Sequence, residues 1–280
     1  MTIHVIGASG RSGGALCRSL SNDRIPYVPV VRNEARWTAT GLPGTPAIAD
    51  LEGAGLSEAL RDATKIVSCA HARHIPAIFA AAPAGAGLVF LGSTRKFTRW
   101  PDAHGNGVLE GERALLASGR PGLILHPTMI YGAEGEDNVQ RLAALLRRLP
   151  MVPLPAGGRA LVQPIHQSDV TRSIRAALDA IPAAPEAIVI AGPAPLAYAD
   201  FVRAVARAAG LPPPRIVAVP ASLLLALSPL TRFPGLPRVQ RDEVRRLLED
   251  KSFSVEAMQS TLRVYPLPLE TGLALTFGSP

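Results

Sequence analysis

Short apolar runs alternate with amphipathic stretches through the first half of the chain. Thr2 to Ile6, Tyr27 to Val31, Pro46 to Ile48, Lys65 to Cys69, Leu88 to Leu91 and Leu123 to His126 are mostly hydrophobic and rich in Val, Ile and Leu. Runs of that length predict strands of a sheet covered on both faces. Between them, apolar residues recur at helical spacing over Ser12 to Leu20, Leu56 to Arg61, Ile75 to Ala82 and Val108 to Ser118. The alternation predicts an α/β fold, a doubly wound parallel sheet with right-handed crossovers.

After Gly132 the pattern changes. A helix is predicted over Asn138 to Leu149, an extended stretch over Arg159 to Pro164, and a second helix capped by Ser168 and running to about Ala180. The proline-rich remainder predicts helices at Tyr198 to Ala209, Val239 to Leu248 and Val255 to Leu262, with strands at Ala187 to Ala191 and Arg215 to Val219. The expected division is a first domain of residues 1–132, completed by about 159–192. A smaller, mainly helical C-terminal lobe of 133–158 and 193–280 makes up the rest. The cleft between them is the expected ligand site.

The first strand runs into Gly7-Ala8-Ser9-Gly10-Arg11-Ser12-Gly13, a GxxGxxG turn that opens a helix. Glycines at that spacing let the chain turn tightly, let backbone N–H groups approach a pyrophosphate and let the helix pack close to the strand. Because the strand before and the helix after are both present, the motif predicts a dinucleotide-binding Rossmann domain. The second strand ends in Val31-Arg32-Asn33-Glu34-Ala35-Arg36, with arginine where an NAD site usually carries an acid for the ribose 2′-hydroxyl. Arg32, Arg11 within the loop and Arg36 are candidates for a 2′-phosphate, which guanidinium groups bind bidentately. The expectation is NADP(H) over NAD(H). Glu34, if it faced the ribose, would reverse it, and Arg32 and Arg36 as ordinary surface residues are the plainer alternative. Asp50-Leu51, after the third strand, is expected to bracket the adenine, with an exposed turn aspartate as the alternative.

Composition narrows the class. The 280 residues are 48% hydrophobic and 18% charged, a globular balance, and the candidate apolar stretch, Ala221 to Leu227, is too short for a membrane span. A basic region followed by an apolar leader is not seen at the start, so a cytoplasmic location is expected. Cys17 and Cys69 make neither a disulfide framework nor a zinc set, and both are expected to be buried small hydrophobes. The net charge of +7 comes from arginines, the only lysines being Lys65, Lys96 and Lys251. Arginines such as Arg141, Arg147 and Arg148 are scattered on helix faces without interleaved aromatics, which argues against a nucleic-acid module. His71 and His74, with no carboxylate or cysteine set beside them, are a poor metal site, and no metal is expected.

Several segments together resemble the extended and atypical short-chain dehydrogenase/reductase superfamily, including its epimerase/dehydratase-like and NmrA-like members, over nearly the whole chain. They are the glycine turn, the strand ending Phe90-Leu91-Gly92-Ser93-Thr94, the segment His126-Pro127-Thr128-Met129-Ile130-Tyr131-Gly132 and the segment Gln163-Pro164-Ile165-His166-Gln167-Ser168-Asp169-Val170. Glu249-Asp250-Lys251 and Tyr265-Pro266 are similar to the ending of nucleotide-sugar epimerase-like members. The resemblance implies a cofactor-binding set of Gly7, Ser9, Gly10, Arg11, Gly13, Arg32, Arg36, Asp50, Leu51, Cys69, Ala70, Ser93, Pro127, Thr128 and Met129.

That superfamily's chemistry rests on a tyrosine, a lysine four residues later and a nearby serine, the tyrosinate exchanging a proton while a hydride moves at the nicotinamide. The chain departs there. Aligning Glu110 to Leu116 with the family's helix places His104 at the tyrosine position and Val108 at the lysine position. The residues four before the three lysines are Arg61, Gly92 and Leu247, so no YxxxK exists anywhere in the sequence. Ser93 occupies the serine position, and Ser93 with His104, near Lys96, is the candidate substitute acid/base site. The bland alternatives are a strand-end Ser93, a solvated Lys96 and a His104 in a Gly-rich surface loop. His166 is expected to orient the strand-to-helix turn, and His126 replaces the arginine usual before Pro127.

Three functions remain open. One is an NADP(H)-dependent oxidoreductase or epimerase-like enzyme with non-standard acid/base residues and an unidentified small-molecule substrate. Another is a non-catalytic NADP(H)-binding redox sensor or accessory protein, which would take a small-molecule effector. Flavin or quinone reduction, needing little protein acid/base help, is the third. Either a monomer or a homodimer is compatible with the sequence.

Overall fold

The computed structural model describes residues 2–133, 136–149, 151–223 and 241–278. Its centre is a seven-stranded sheet of β1 (Ile3–Ile6), β2 (Tyr27–Val31), β3 (Ala47–Ile48), β4 (Lys65–Ser68), β5 (Gly87–Leu91), β6 (Gly122–Pro127) and β11 (Glu186–Ile190). The order is β11-β6-β5-β4-β1-β2-β3, and every pairing is parallel. All six predicted strands of the first half form, each boundary within one residue of its expected place.

Alternation along these strands explains the two-faced core. Val5, Val67, Val89, Leu123 and Leu125 point to one side, where α1 (Arg11–Asn22), α7 (Gln167–Asp179) and α10 (Glu256–Leu262) supply Leu16, Val170, Ile174, Met258 and Leu262. Ile6, Ile66, Leu88, Phe90 and Ile124 point to the other side. There α3 (Leu56–Leu60), α4 (Ile75–Ala81) and α5 (Ala103–Ser118) supply Leu60, Ile75, Ile78, Val108 and Leu115. Both faces are dry, which is why the strands read as continuous apolar runs. The short helix α2 (Glu34–Thr38) follows β2 and seats Trp37.

Beyond β6 the chain builds the second region from β7 (Ile130–Tyr131), α6 (Asn138–Leu146), β8 (Met151–Pro155), β9 (Leu161–Val162) and β10 (Ile165–His166). It continues with β12 (Leu196–Ala197), α8 (Tyr198–Ala208), β13 (Arg215–Val219), α9 (Arg241–Arg246) and α11 (Leu269–Phe277). Tyr131, Val139, Phe201, Val205 and Leu273 form one core there, and Leu146, Val152, Leu154 and Val202 another. Strand β8 pairs in parallel with β13 and was not expected. Pro153 and Pro155 hide it in the sequence, and both are tolerated because a two-stranded pair leaves β8 an edge.

Three helix expectations are corrected. α7 begins at Gln167, and its N-cap is His166 rather than Ser168: the Ser168 N–H donates to His166 Nδ1 at 3.3 Å. α6 ends at Leu146 rather than Leu149. α5 begins at Ala103 rather than Val108, because Asp102 caps it by accepting from the Gly105 N–H at 2.8 Å. His104 therefore stands on the first turn of a helix, not in a surface loop. Of the expected helix at Val239 to Leu248, residues 239–240 lie outside the described residues, as do 224–227 of the apolar stretch ending at Leu227.

Glycines conceal the start of α5, and packing requires them. A Cβ on Gly111 would lie 2.1 Å from the Ala72 carbonyl oxygen, so the helix backbone rests on the turn after β4. Gly111→Ala must push the two backbones apart and is expected to lower stability by about 1–3 kcal/mol in urea unfolding. Gly85→Ala, where a Cβ meets nothing within 4 Å, is expected to leave stability unchanged or slightly raised.

Candidate functional site

Strand order reverses between β1 and β4, and in open parallel sheets the crevice at such a reversal, outside the carboxyl ends of the strands, is where ligands bind. Here the glycine turn forms one wall. Gly7 sits at φ +76, a left-handed conformation that disfavours any side chain, and its N–H donates to the Val30 carbonyl at 3.0 Å. The Gly10 N–H donates to the Gly7 carbonyl at 2.9 Å, and a Cβ on Gly13 would lie 2.2 Å from that same oxygen. The turn is thus held between strand and helix by backbone contact alone. Gly10 is the N-cap of α1 and offers no side-chain acceptor, and the first turn carries no acid. The early N–H groups of a twelve-residue helix are left to meet an anion. Ser9 lies half-buried in the turn.

The opposite wall is the segment after β4. A side chain on Gly7 would come within 3.3 Å of the Ala70 nitrogen and 3.4 Å of the Cys69 carbonyl carbon. Burial pushes the Cys69 thiol up to about 12, and Cys17 higher still, so both are protonated, unreactive thiols. At the end of β2, Arg32 and Arg36 are exposed, and no ion pair with another described residue engages either. Asn33 between them caps α2, accepting from the Arg36 N–H at 3.0 Å. Glu34 is exposed in the first turn of that helix. Asp50 is exposed and accepts from the Glu52 N–H at 3.1 Å, while Leu51 is half-buried against the core.

Arg11 points elsewhere. Its guanidinium lies 3.4 Å from the Glu136 carboxylate and 3.6 Å from that of Asp137, tying the glycine turn to the segment that precedes α6. Glu136 is buried, and burial raises its pKa against the opposing pull of Arg11.

At the end of β5, the Ser93 hydroxyl accepts from the Arg95 N–H at 3.2 Å and its backbone N–H donates to His126 Nδ1 at 3.2 Å. The neutral His126 ring therefore carries its proton on Nε2, which lies 2.7 Å from the Glu112 carboxylate. Lys96 closes the cluster by pairing with Glu112. Lys96 is not the solvated residue of the plainer alternative, since its side chain is 8% exposed. Burial, followed by the nearby Lys96 charge, pushes the His126 pKa down to about 4, against the pull of Glu112. Gly92 makes room for the ring, since a Cβ there would lie 2.4 Å from Nδ1. Nothing in the linear spacing of residues 96, 112 and 126 signals this cluster. Only the adjacency of β5, β6 and α5 creates it.

His104 is exposed, and its ring stands edge-on to His71 with centroids 4.4 Å apart. Burial lowers its pKa first, then the Arg95 charge, with Asp102 opposing and Arg246 adding to the fall. His71 is lowered by burial and then by His104, so both rings are neutral at neutral pH. Val108, one helical turn on, is fully in the core with Ala72, Ile75 and Leu115. Pro127, Thr128 and Met129 leave β6 beside these groups: the Thr94 hydroxyl donates to the Pro127 carbonyl at 3.1 Å, and the Met129 carbonyl accepts from the Ile165 N–H at 2.9 Å. Thr128 is buried, and among the described residues its hydroxyl has no partner. His166 orients its turn as expected, with Nδ1 2.7 Å from the Ser168 hydroxyl. Among the described residues no group of three His, Cys, Asp or Glu side chains is placed to hold a metal, and no helix is long and apolar enough to cross a membrane.

No protein-family model matches the chain, and no curated protein matches its sequence. Solved structures do match. A UDP-glucuronic acid 4-epimerase from Bacillus cereus, in complex with UDP-glucuronic acid and NAD, superposes with a TM-score of 0.74 at 16% identity, covering 99% of this chain and 98% of its own. The chain shares the fold of that structure. A UDP-glucose 4-epimerase from Thermotoga maritima, with UDP-glucose, gives 0.76 at 13% identity over 99% and 98% of the two chains. A short-chain dehydrogenase/reductase superfamily protein from Agrobacterium tumefaciens with bound NAD gives 0.71 at 16% identity over 100% and 96%. The shared fold therefore runs nearly the full length of the chain, the second region included.

The buried His126 is expected to make the protein acid-sensitive in a defined window. Its folded pKa lies below the ordinary 6.5, so stability is full above 6.5 and falls as pH drops toward 4, by about 3 kcal/mol from this group. Urea midpoints measured between neutral pH and about pH 5 should fall less steeply in His126→Gln than in the parent. Equal slopes would remove His126 as the cause.

Proposed function

We propose that the protein binds a nicotinamide dinucleotide in the crevice of its sheet, with NADP(H) preferred to NAD(H). Carrying this reading is one observation: an α1 N-terminus without a side-chain cap, framed by the Gly7–Gly13 turn, with the unengaged guanidinium groups of Arg32 and Arg36 at the end of the neighbouring strand. The turn and helix suit a pyrophosphate, and the two arginines suit a 2′-phosphate where an acid would suit a free ribose hydroxyl. Arg11, held by Glu136 and Asp137, contributes less than its place in the loop suggested. Pro127, Thr128 and Met129 would lie toward the amide-bearing end of such a cofactor, and Asp50, Leu51, Cys69 and Ala70 would line the adenine side and the crevice wall. That the similarly folded proteins from Bacillus cereus and Agrobacterium tumefaciens hold NAD supports a dinucleotide and leaves the phosphate preference to the arginines. Residues 1–132 with about 159–192 would form the cofactor domain, and 133–158 with 193–280 the lobe that meets a small-molecule substrate.

When bound, the cofactor supplies a hydride donor or acceptor. In the catalytic reading, the neutral His104, exposed on the first turn of α5, exchanges the substrate proton. Ser93, anchored through its N–H to His126, offers its hydroxyl to a substrate oxygen. A non-catalytic reading is favoured by Val108, whose burial in the core leaves no cation one turn after His104.

Arg32→Ala is expected to weaken NADPH at least tenfold while changing NADH little; equal losses would overturn the 2′-phosphate assignment. With a quinone, carbonyl and sugar-nucleotide panel, NADPH oxidation that falls about a hundredfold in His104→Ala would support the enzyme. Tight NADPH binding with no turnover on any member selects the non-catalytic protein.

A further inference from the structure

Arg11 is the first residue of α1, so its side chain leaves the helix at the end whose early N–H groups have no side-chain cap. The guanidinium is engaged by the segment before α6: Nη1 lies 3.4 Å from the Glu136 carboxylate and Nη2 3.6 Å from that of Asp137. Both contacts are longer than a well-formed charge-assisted hydrogen bond, which measures about 2.7–2.9 Å. The Arg11 side chain is 58% exposed, and turning it toward a phosphate at the helix end requires no repacking of the core. A guanidinium pairs with phosphate as readily as with carboxylate.

The two carboxylates differ in what they would lose. Asp137 is exposed to water and has Arg141 of α6 4.0 Å away. The Glu136 side chain is buried, and among the described residues Arg11 is the one cation paired with it. Burial raises its pKa, Arg11 opposes the rise and Asp137 adds to it. If Arg11 turned to a phosphate, Glu136 would be left as a buried carboxylate without a cation, beside a second anion. The charged form is costly there, and taking up a proton removes the cost. Arginine keeps its charge at any working pH, and Asp137 keeps Arg141 and water, so of the groups that face one another here Glu136 is the one that would titrate.

We propose that Glu136 is an internal competitor for Arg11: a phosphate of the bound dinucleotide takes the guanidinium, the Glu136 carboxyl binds a proton, and dinucleotide affinity is set by this exchange. The inference rests on the reading that the crevice holds a dinucleotide. It accounts for the small net contribution of Arg11, which a phosphate gains only by undoing an existing pair. Because a proton enters with the ligand, affinity falls as pH rises.

Calorimetric titration of the full chain with NADPH and with NADH at neutral pH, in two buffers of different ionisation enthalpy, reads affinity and proton uptake together. The parent should take up about half to one proton per dinucleotide. Glu136→Gln keeps the shape of the side chain and removes its charge, and it should raise affinity about tenfold and abolish that uptake. Protons carried by the ligand are common to both proteins, so the difference between them reports Glu136. An equal gain for NADPH and NADH makes the pyrophosphate the partner of Arg11, and a gain for NADPH alone makes it the 2′-phosphate. In an Arg11→Ala background Glu136 has no cation to lose, so Glu136→Gln should add no more than about a twofold gain. Unchanged affinity in a folded Glu136→Gln, a full gain in the Arg11→Ala background, or equal proton uptake by parent and Glu136→Gln would each overturn the proposal. Should circular dichroism show that the variants do not fold, the parent with NADH decides, since NADH has no titrating 2′-phosphate: uptake supports the exchange and its absence overturns it. Failure of every protein to bind either dinucleotide would remove the crevice reading itself, whereas binding without proton uptake or gain would remove the role of Glu136 alone.

Discussion

Everything around the crevice depends on backbone touching backbone. The Gly7 carbonyl sits where a side chain on Gly13 would be, and a side chain on Gly7 would crowd Cys69 and Ala70. Because the strand, the helix and the facing segment approach at main-chain distance, the N–H groups opening α1 are delivered to the point where the strand order reverses. Any Cβ in the contact would lift the helix off the strand and widen the crevice. Side chains then decorate a geometry that glycines have already set.

The sheet was legible because both of its faces are dry. Strands such as Lys65–Ser68 and Gly122–Pro127 carry apolar residues on both sides, and an uninterrupted apolar run has few other meanings at that length. What failed to show in the sequence failed for identifiable physical reasons. Pro153 and Pro155 disguised β8, since proline is normally read as a break. Gly105, Gly107 and Gly111 disguised the first turns of α5, since glycine is a poor helix former, although here it lets the helix lie against Ala72. Ser168 looked like a cap because it carries the usual side chain, whereas the extended residue before the helix is His166.

At the site, motif residues were legible and their partners were not. The glycine turn, Arg32 and Ser93 could be named from local pattern. The ties from Arg11 to Glu136 and from Ser93 through His126 to Glu112 and Lys96 span many tens of residues and exist only once β5, β6 and α5 are adjacent. The cluster also withdraws an opposite pair of charges from water. A lysine and a carboxylate taken out of water are tolerated because each faces the other, and the ring beside them stays neutral.

Val108 has a consequence for redesign. A lysine at 108 would have to lead its ammonium out from among Ala72, Ile75 and Leu115, and the helix has little freedom to rise and make way while Gly111 rests on the Ala72 carbonyl. Installing a cation at that position therefore means reopening the packing between α5 and the turn after β4, a change to the core before it is a change to the crevice.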